Sequence, residues 1–229
     1  MALTSRENWL RAVEFRYPDW IPCRVAFSPI TWRTYRQELL QLIRDHPRIF
    51  PPTEYDEIET YEELPVVYRS GEYFRDNWGC VWYTEQEGLE GQVVGHPLSD
   101  WNALDGYTPP DPLVLAEREP RDWADAERTI AERRAKGLLT VGNGERLFDR
   151  LYFLRGFDNL MMDFAMQSPQ LACLIEMLQD HELRLIDRWL QIGVDVMAFH
   201  TDIGTQKALM ISPASFRQYI KPLFATLFQ

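Results

Sequence analysis

The stretch from Ser168 to Leu223 constrains the fold more than any other. Leu171, Leu174, Leu178, Leu185 and Trp189 recur on one helical face, behind an N-cap serine, Ser168, and a first-turn proline, Pro169. Gly193 supplies the stop. Val194 to Phe199 then reads as a buried strand, His200 to Gln206 as a polar loop containing Gly204, and Ser212-Pro213 as the start of a helix through Phe216, Tyr219, Ile220 and Leu223. A long helix with a continuous apolar face must cover something flat. Helix, strand, polar loop, helix is the order of a parallel βα fold.

The same order is visible upstream. Thr4 followed by Glu7 fits a capping box for a short first helix carrying Trp9, Leu10 and Val13. Ile21 to Phe27 reads as a strand, and Trp32 to Ile43 returns to helical spacing. Residues 50–115 break the rhythm with Pro51-Pro52, an acidic run from Glu54 to Glu63, a hairpin-like alternation from Gly79 to Tyr83, and Pro109-Pro110. They read as an excursion over the mouth of a barrel. Pro120 to Lys136 reads as a polar helix capped by Gly137, and Leu138 to Val141 as a short strand running into Gly142-Asn143-Gly144. The expectation is therefore α/β: a TIM (β/α)8 barrel of which about the first four strand-helix units are present. Residues 1–229 would be the N-terminal part of one barrel domain, because a closed barrel takes roughly 250 residues and eight strands.

Composition narrows the function. The chain has 229 residues, 45% hydrophobic, enough for a substantial core. With 35 acidic against 24 basic side chains its net charge is -11, a field that opposes phosphate contacts, so nucleic acid and anionic membranes are set aside. No apolar run reaches the roughly 20 residues of a membrane helix, and Met1 to Arg6 lacks the order of a signal peptide, so a cytoplasmic location is expected. Cys23, Cys80 and Cys173, widely spaced and odd in number, read as buried structural thiols.

In parallel barrels chemistry sits at the carboxyl ends of the strands, so polar residues that follow a strand are the candidates. His200 and Asp202, with Gln206, follow the clearest strand and offer an imidazole, a carboxylate and an amide within one loop. Asp202 is the candidate catalytic acid or base; His200 and Gln206 are candidate substrate contacts. The plain alternative is that Asp202 caps a loop and His200 bonds a carbonyl. Gly142-Asn143-Gly144-Glu145 forms a second place, where the glycines would let a ligand near the backbone and Glu145 would start a helix. Asp76-Asn77-Trp78-Gly79-Cys80-Val81-Trp82 forms a third, with Asp76 and Trp78 lining an entrance, although tryptophans in such a hairpin also serve as core. His46, His96 and His181 have no partner at metal spacing, and Leu185 stands where H-E-x-x-H needs its second histidine.

These stretches together resemble the uroporphyrinogen decarboxylase superfamily, in its decarboxylase-like branch grouped with cobamide-dependent methyltransferases. The resemblance lies in Arg11-Ala12 through Pro18-Asp19 to Ile21-Pro22, Asp76 to Gly79, Gly91 to Asp100, and Leu154-Arg155-Gly156-Phe157. It is carried above all by Asp202-Ile203-Gly204-Thr205-Gln206 leading to Ile211-Ser212-Pro213. It implies a TIM barrel acting on a small-molecule substrate, either by methyl transfer between a corrinoid and a thiol using zinc, or by cofactor-free decarboxylation in porphyrin biosynthesis. The paired arginines that meet a tetrapyrrole's carboxylates are missing after the first expected strand, where Ala26 to Thr31 stands, and Arg33 and Arg36 fall out of register. No His-x-Cys occurs. The resemblance thus implies no cofactor within this chain, with zinc and a corrinoid protein as cofactor and partner of the full-length protein. A homo-oligomer, a non-catalytic binding module and an inactive fragment remain as alternatives.

Overall fold

The computed structural model describes residues 3–55 and 62–229. Residues 56–61 of the acidic run and the first two residues of the chain lie outside the described residues. The helices are α1 Ser5–Val13, α2 Pro29–Asp45, α3 Pro52–Tyr55, α4 Trp123–Ala135, α5 Leu147–Arg155, α6 Phe157–Met166, α7 Pro169–Ile192, α8 Pro213–Ser215 and α9 Lys221–Leu227, with a π-helical turn at Phe216–Ile220. The strands are β1 Tyr73–Arg75, β2 Val81–Tyr83 and β3 Gln92–Gly95 in one sheet of that order, and β4 Val141–Asn143 beside β5 Val196–Ala198. The fold is α/β with small sheets, and no closed barrel forms among the described residues.

The chain divides into two compact units. One comprises Met1–Phe74, Trp82–Gln92 and Ala124–Thr140, the other Arg75–Val81, Val93–Trp123 and Val141–Gln229, so residues 50–115 contribute to both.

In the first unit the capping box forms: Thr4 accepts from the Glu7 amide at 3.1 Å, and Glu7 accepts from the Thr4 amide at 2.8 Å. The cap's hydrogen bonds to the Glu7 carboxylate hold it below its ordinary pKa. Trp32, Leu39 and Ile43 of α2 bury with Phe50 against Val25, Phe27, Leu40 and Tyr55. The expected strand from Ile21 to Phe27 is a correction: these residues join no ladder. Val25 has both backbone groups bonded to the Tyr55 hydroxyl instead, at 2.9 and 3.0 Å, so a side chain takes the place of a partner strand. Arg36, with φ 38°, kinks α2, and Arg33 is paired with Glu87 at 3.0 Å. Helix α4 starts at Trp123, three residues after Pro120.

The second unit is built around α5, α6 and α7. Leu147, Phe148, Leu151 and Leu154 meet Leu160, Leu171, Leu174, Leu178 and Leu185, all fully buried. Helix α7 ends at Gly193 in the left-handed region (φ 81°), where glycine carries no Cβ penalty. Ser168 precedes α7, but its hydroxyl bonds Asp163 at 2.8 Å and makes no cap bond. Strands β4 and β5 pair in parallel with Val141 opposite Val196 and Asn143 opposite Ala198, and α5 to α7 form the crossover between them. The strand expected at 138–141 thus begins at Val141, and β5 is half-buried throughout.

The cysteine expectation needs correction as well. Cys80 is buried, with its thiol pushed up to about 12 by burial, but Cys23 and Cys173 are exposed. Cys23 lies in the segment that joins no ladder, and Cys173 on the outward face of α7.

Candidate functional site

Parallel strands direct all their carboxyl ends to one side, so the turns leaving β4 and β5 must open together. They do. Asn143, Gly144 and Glu145 after β4, and His200, Thr201 and Asp202 after β5, line one cavity of about 430 Å³. Ala116, Glu117 and Arg121 from the preceding loop, and Arg146 and Asp149 at the start of α5, complete its wall.

The two turns are stitched together at the N-terminus of α5. The Phe148 amide donates to the Thr201 hydroxyl at 2.8 Å, which serves as the cap that α5 otherwise lacks. The Asp202 amide donates to both oxygens of Asp149, at 3.2 and 3.3 Å, and the Tyr152 hydroxyl donates to Asp149 at 2.7 Å. Burial raises the Asp149 pKa, with the Asp202 charge adding to it against the Tyr152 and Asp202 hydrogen bonds. Asp149 and Asp202 therefore form a carboxylate pair, the first buried and the second exposed.

Behind this wall lies a charged layer. Arg150, fully buried, donates to Asp76 at 3.3 Å, Glu117 at 2.6 Å and Glu145 at 3.1 Å, with its guanidinium 4.6 Å from the Trp78 ring centre. Burial opposes its charge, but the three carboxylates outweigh burial and its pKa is raised. Trp78 stacks on its other neighbour, His181, at 4.5 Å. Burial drives that imidazole down to about 3, and the cations of Arg121 and Arg150 reinforce the shift. Next to it on α7, Glu182 is fully buried and accepts from the Glu145 amide at 3.0 Å. Burial, then the Glu145 charge, pushes the Glu182 carboxyl up to about 8.

Of the residues expected from sequence, Asp202, His200 and Glu145 share the cavity. Gln206 is exposed on the loop beyond and is not in the cavity's lining. Asp76 and Trp78, expected at an entrance, are only 4% and 1% exposed and belong to the layer holding Arg150. The reason is Arg150 itself, whose charge and flat face require a carboxylate and a ring. The glycines around Asn143 also have another purpose. A Cβ on Gly142 would stand 2.7 Å from Met197 and Trp189, and one on Gly144 2.4 Å from the Phe199 ring, so packing rather than ligand approach demands them. Glu145 precedes α5 instead of starting it. Glu117, Arg121, Arg146, Asp149 and Glu182 were not anticipated. One signal was present: Glu182 falls between Leu178 and Leu185 on the apolar face of α7, where a carboxylate has no business unless it is partnered.

An α/β fold with a polar cavity at the carboxyl ends of adjacent parallel strands has the layout of α/β ligand-binding and catalytic proteins. No protein-family model matches the sequence, and no curated protein is similar to it. A solved structure, a methyltransferase from Methanosarcina mazei, has a similar fold: TM-score 0.56 and 15% identity, covering 98% of this chain. This chain spans 66% of that protein's length. No helix among the described residues is long and apolar enough to cross a membrane, and no group of three His, Cys, Asp or Glu is placed to hold a metal.

Proposed function

We propose that this chain carries the substrate cavity of a uroporphyrinogen decarboxylase-like barrel enzyme that transfers a methyl group to a small acceptor. The observation that carries the reading is the convergence of Asp202, His200 and Glu145 on one cavity at the carboxyl ends of β4 and β5. In the proposal these strands are neighbouring staves of a parallel (β/α)8 barrel. The fold of the methanogen methyltransferase supports the reaction class.

Asp202 acts as general base. Its carboxylate takes the proton of an acceptor thiol while the sulfur forms its bond to the methyl group, and the donor departs with the electrons of the broken bond. Asp149 receives the Asp202 amide and fixes the loop, so that the base is held at one place. His200 and Glu145 contact the substrate. Zinc and a corrinoid protein belong to the proposal for the whole protein; the described residues do not form a zinc ligand set, and no step here runs through the metal. Decarboxylation of a tetrapyrrole fits less well, because Glu117, Glu145, Asp149 and Asp202 would face the substrate's own carboxylates.

Methyl transfer from methylcobalamin to a panel of thiols, followed by loss of the methyl-cobalt absorbance, tests the reading on the full-length protein. Asp202→Asn should lower kcat by on the order of 100-fold. Unchanged turnover would remove Asp202 from the chemistry, and no turnover with any thiol would remove methyl transfer to thiols.

A further inference from the structure

Helix α1 ends on a residue that its own backbone does not favour. The Phe15 amide donates to the Ala12 carbonyl at 3.3 Å and the Arg16 amide to the Arg11 carbonyl at 2.7 Å, a Schellman closure, which needs a left-handed residue and ordinarily takes glycine. Here that residue is Phe15, with φ 56°, and Tyr17 two positions on has φ 47°. A Cβ makes this conformation unfavourable. Neither ring offsets the strain by packing: Phe15 is 92% and Tyr17 91% exposed, and Ile21 of the same segment is 88% exposed. The segment is nevertheless held in place. Asn8, fully buried in α1, accepts from the Asp19 amide at 2.8 Å and donates to the Trp20 carbonyl at 2.8 Å, which clamps the turn back onto the helix. A clamped, strained turn that presents its rings to water is preorganised for a partner, not for the interior of its own unit.

The charges on the segment indicate which partner. Arg11, Glu14, Arg16 and Asp19 are two of each sign, in sign-reversed order about Phe15: Arg11 and Asp19 lie four residues to either side, Glu14 and Arg16 one. Within the chain Arg11 lies 3.9 Å from Asp19 and Arg16 pairs with Glu14, and all four side chains are at least 42% exposed. The segment is thus neutral on a chain of net charge -11. A polyanion or an anionic membrane would require excess cation, whereas two copies of an acidic chain meet with least repulsion where the local charge vanishes. A two-fold axis at Phe15 sets Glu14 of each copy beside Arg16 of the other and brings the aromatic rings together. The available area agrees. At these exposures Phe15 and Tyr17 alone offer roughly 300–450 Å². That is near half of the roughly 800 Å² each partner buries in a standard interface, and Val13, Trp20 and Ile21, exposed in the same segment, add to it.

We propose that Val13 to Ile21 is a docking surface for a second copy of this chain, the two copies being related by a two-fold axis at Phe15. The surface lies in the first unit and stands independently of the chemistry assigned to the cavity.

Sedimentation equilibrium of the full-length protein tests it, with three variants in the exposed segment. The protein should be a dimer. Phe15→Gly removes the ring and relieves the left-handed strain, so the fold is kept, and it should weaken the dimer at least about 30-fold, the scale of a hot-spot side chain. Glu14→Arg and Arg16→Glu, each alone, set like charges across the axis and should weaken it about fivefold. Mixed in equal amounts, the two charge variants should pair with each other as tightly as the parent chain pairs with itself. A monomer at all concentrations would overturn the proposal, and co-sedimentation of that monomer with phosphatidylserine vesicles would assign the segment to a membrane instead. A dimer indifferent to Phe15→Gly would place the contact on another face and sink the idea equally. Charge variants that have no effect alone, or that fail to restore the dimer on mixing, would rule out the two-fold register.

Discussion

The two units bury their interiors by opposite means. In the first, Trp32, Leu39, Ile43 and Phe50 close on Val25, Phe27, Leu40 and Tyr55, with no carboxylate, imidazole or guanidinium among them. In the second, Arg150, Asp76, Glu145, His181 and Glu182 are each at most 7% exposed amid leucines. An apolar cluster gains by removing area from water and tolerates changes of shape. A buried charge network gains little net energy when complete and loses heavily when one member goes. The cavity is lined by residues tied to the second kind, so its geometry is fixed by interactions that cannot be trimmed singly.

The largest effect should follow Arg150→Met. The substitution keeps most of the volume but takes the Arg150 cation from buried Asp76 and leaves Glu145 only the more distant Arg121, and should cost about 3–5 kcal/mol. Urea unfolding measures it; a loss under about 1 kcal/mol would mean that the carboxylates find other partners and the contrast with the apolar unit is false. Leu39→Ala tests the other side. With Leu39 6% exposed, its truncation should cost about 3 kcal/mol and leave the binding or turnover of the second unit untouched. A change in activity as large as that from Arg150→Met would break the comparison.

The contrast also explains what was legible in the sequence. The apolar face of α7 and its stop at Gly193 could be read because burial repeats with the helix period. Asp202, His200 and Glu145 could be read because strand ends are where polar residues converge. Arg150 and Asp149 could not be, since polar residues on a helix ordinarily face water and nothing in their spacing announces burial. Ile21 to Phe27 has strand composition, yet a strand exists only where a partner strand is offered, and the Tyr55 hydroxyl 30 residues away supplies the bonds instead. Gly142 and Gly144 invited a ligand-binding reading because a glycine's reason, here Trp189 and Phe199, lies in distant residues.

The pH dependence of stability sharpens the same difference. Glu182 has its carboxyl raised from 4.5 to about 8, so between those values the folded state holds a proton that the unfolded state has lost, and stability falls as pH rises through that window. His181 runs the other way. Its imidazole is lowered from 6.5 to about 3, so the unfolded state takes up a proton that the folded state refuses, and stability falls as pH drops through that window. Urea midpoints should therefore peak between the two declines, within the span of 4.5 to 6.5 set by the ordinary values. Glu182→Gln keeps the acceptor for the Glu145 amide and should abolish the alkaline decline, an effect on the order of 1–3 kcal/mol. An alkaline decline that survives Glu182→Gln would assign it to another group, with Asp149, raised in the same direction, the next to replace.

The smallest effect belongs to a purely local feature of the first unit. Thr4→Ala removes the hydroxyl that accepts from the Glu7 amide, and an N-cap of this kind is worth about 1 kcal/mol. Thr4 also packs 3.3 Å from the place a Cβ on Gly137 would take, beside the hydrogen bond from the Arg6 amide to the Gly137 carbonyl, so the cap anchors α1 to the turn that ends α4. Thr4→Ser keeps the hydroxyl and loses only the methyl, and should recover most of the loss. If serine fails to restore it, the packing on Gly137 carries the stability and the hydrogen bond does not. In either case the loss should be the same at pH 6 and pH 8, both more than about a pH unit above the ordinary carboxylate values, in contrast to the titrating interior of the second unit.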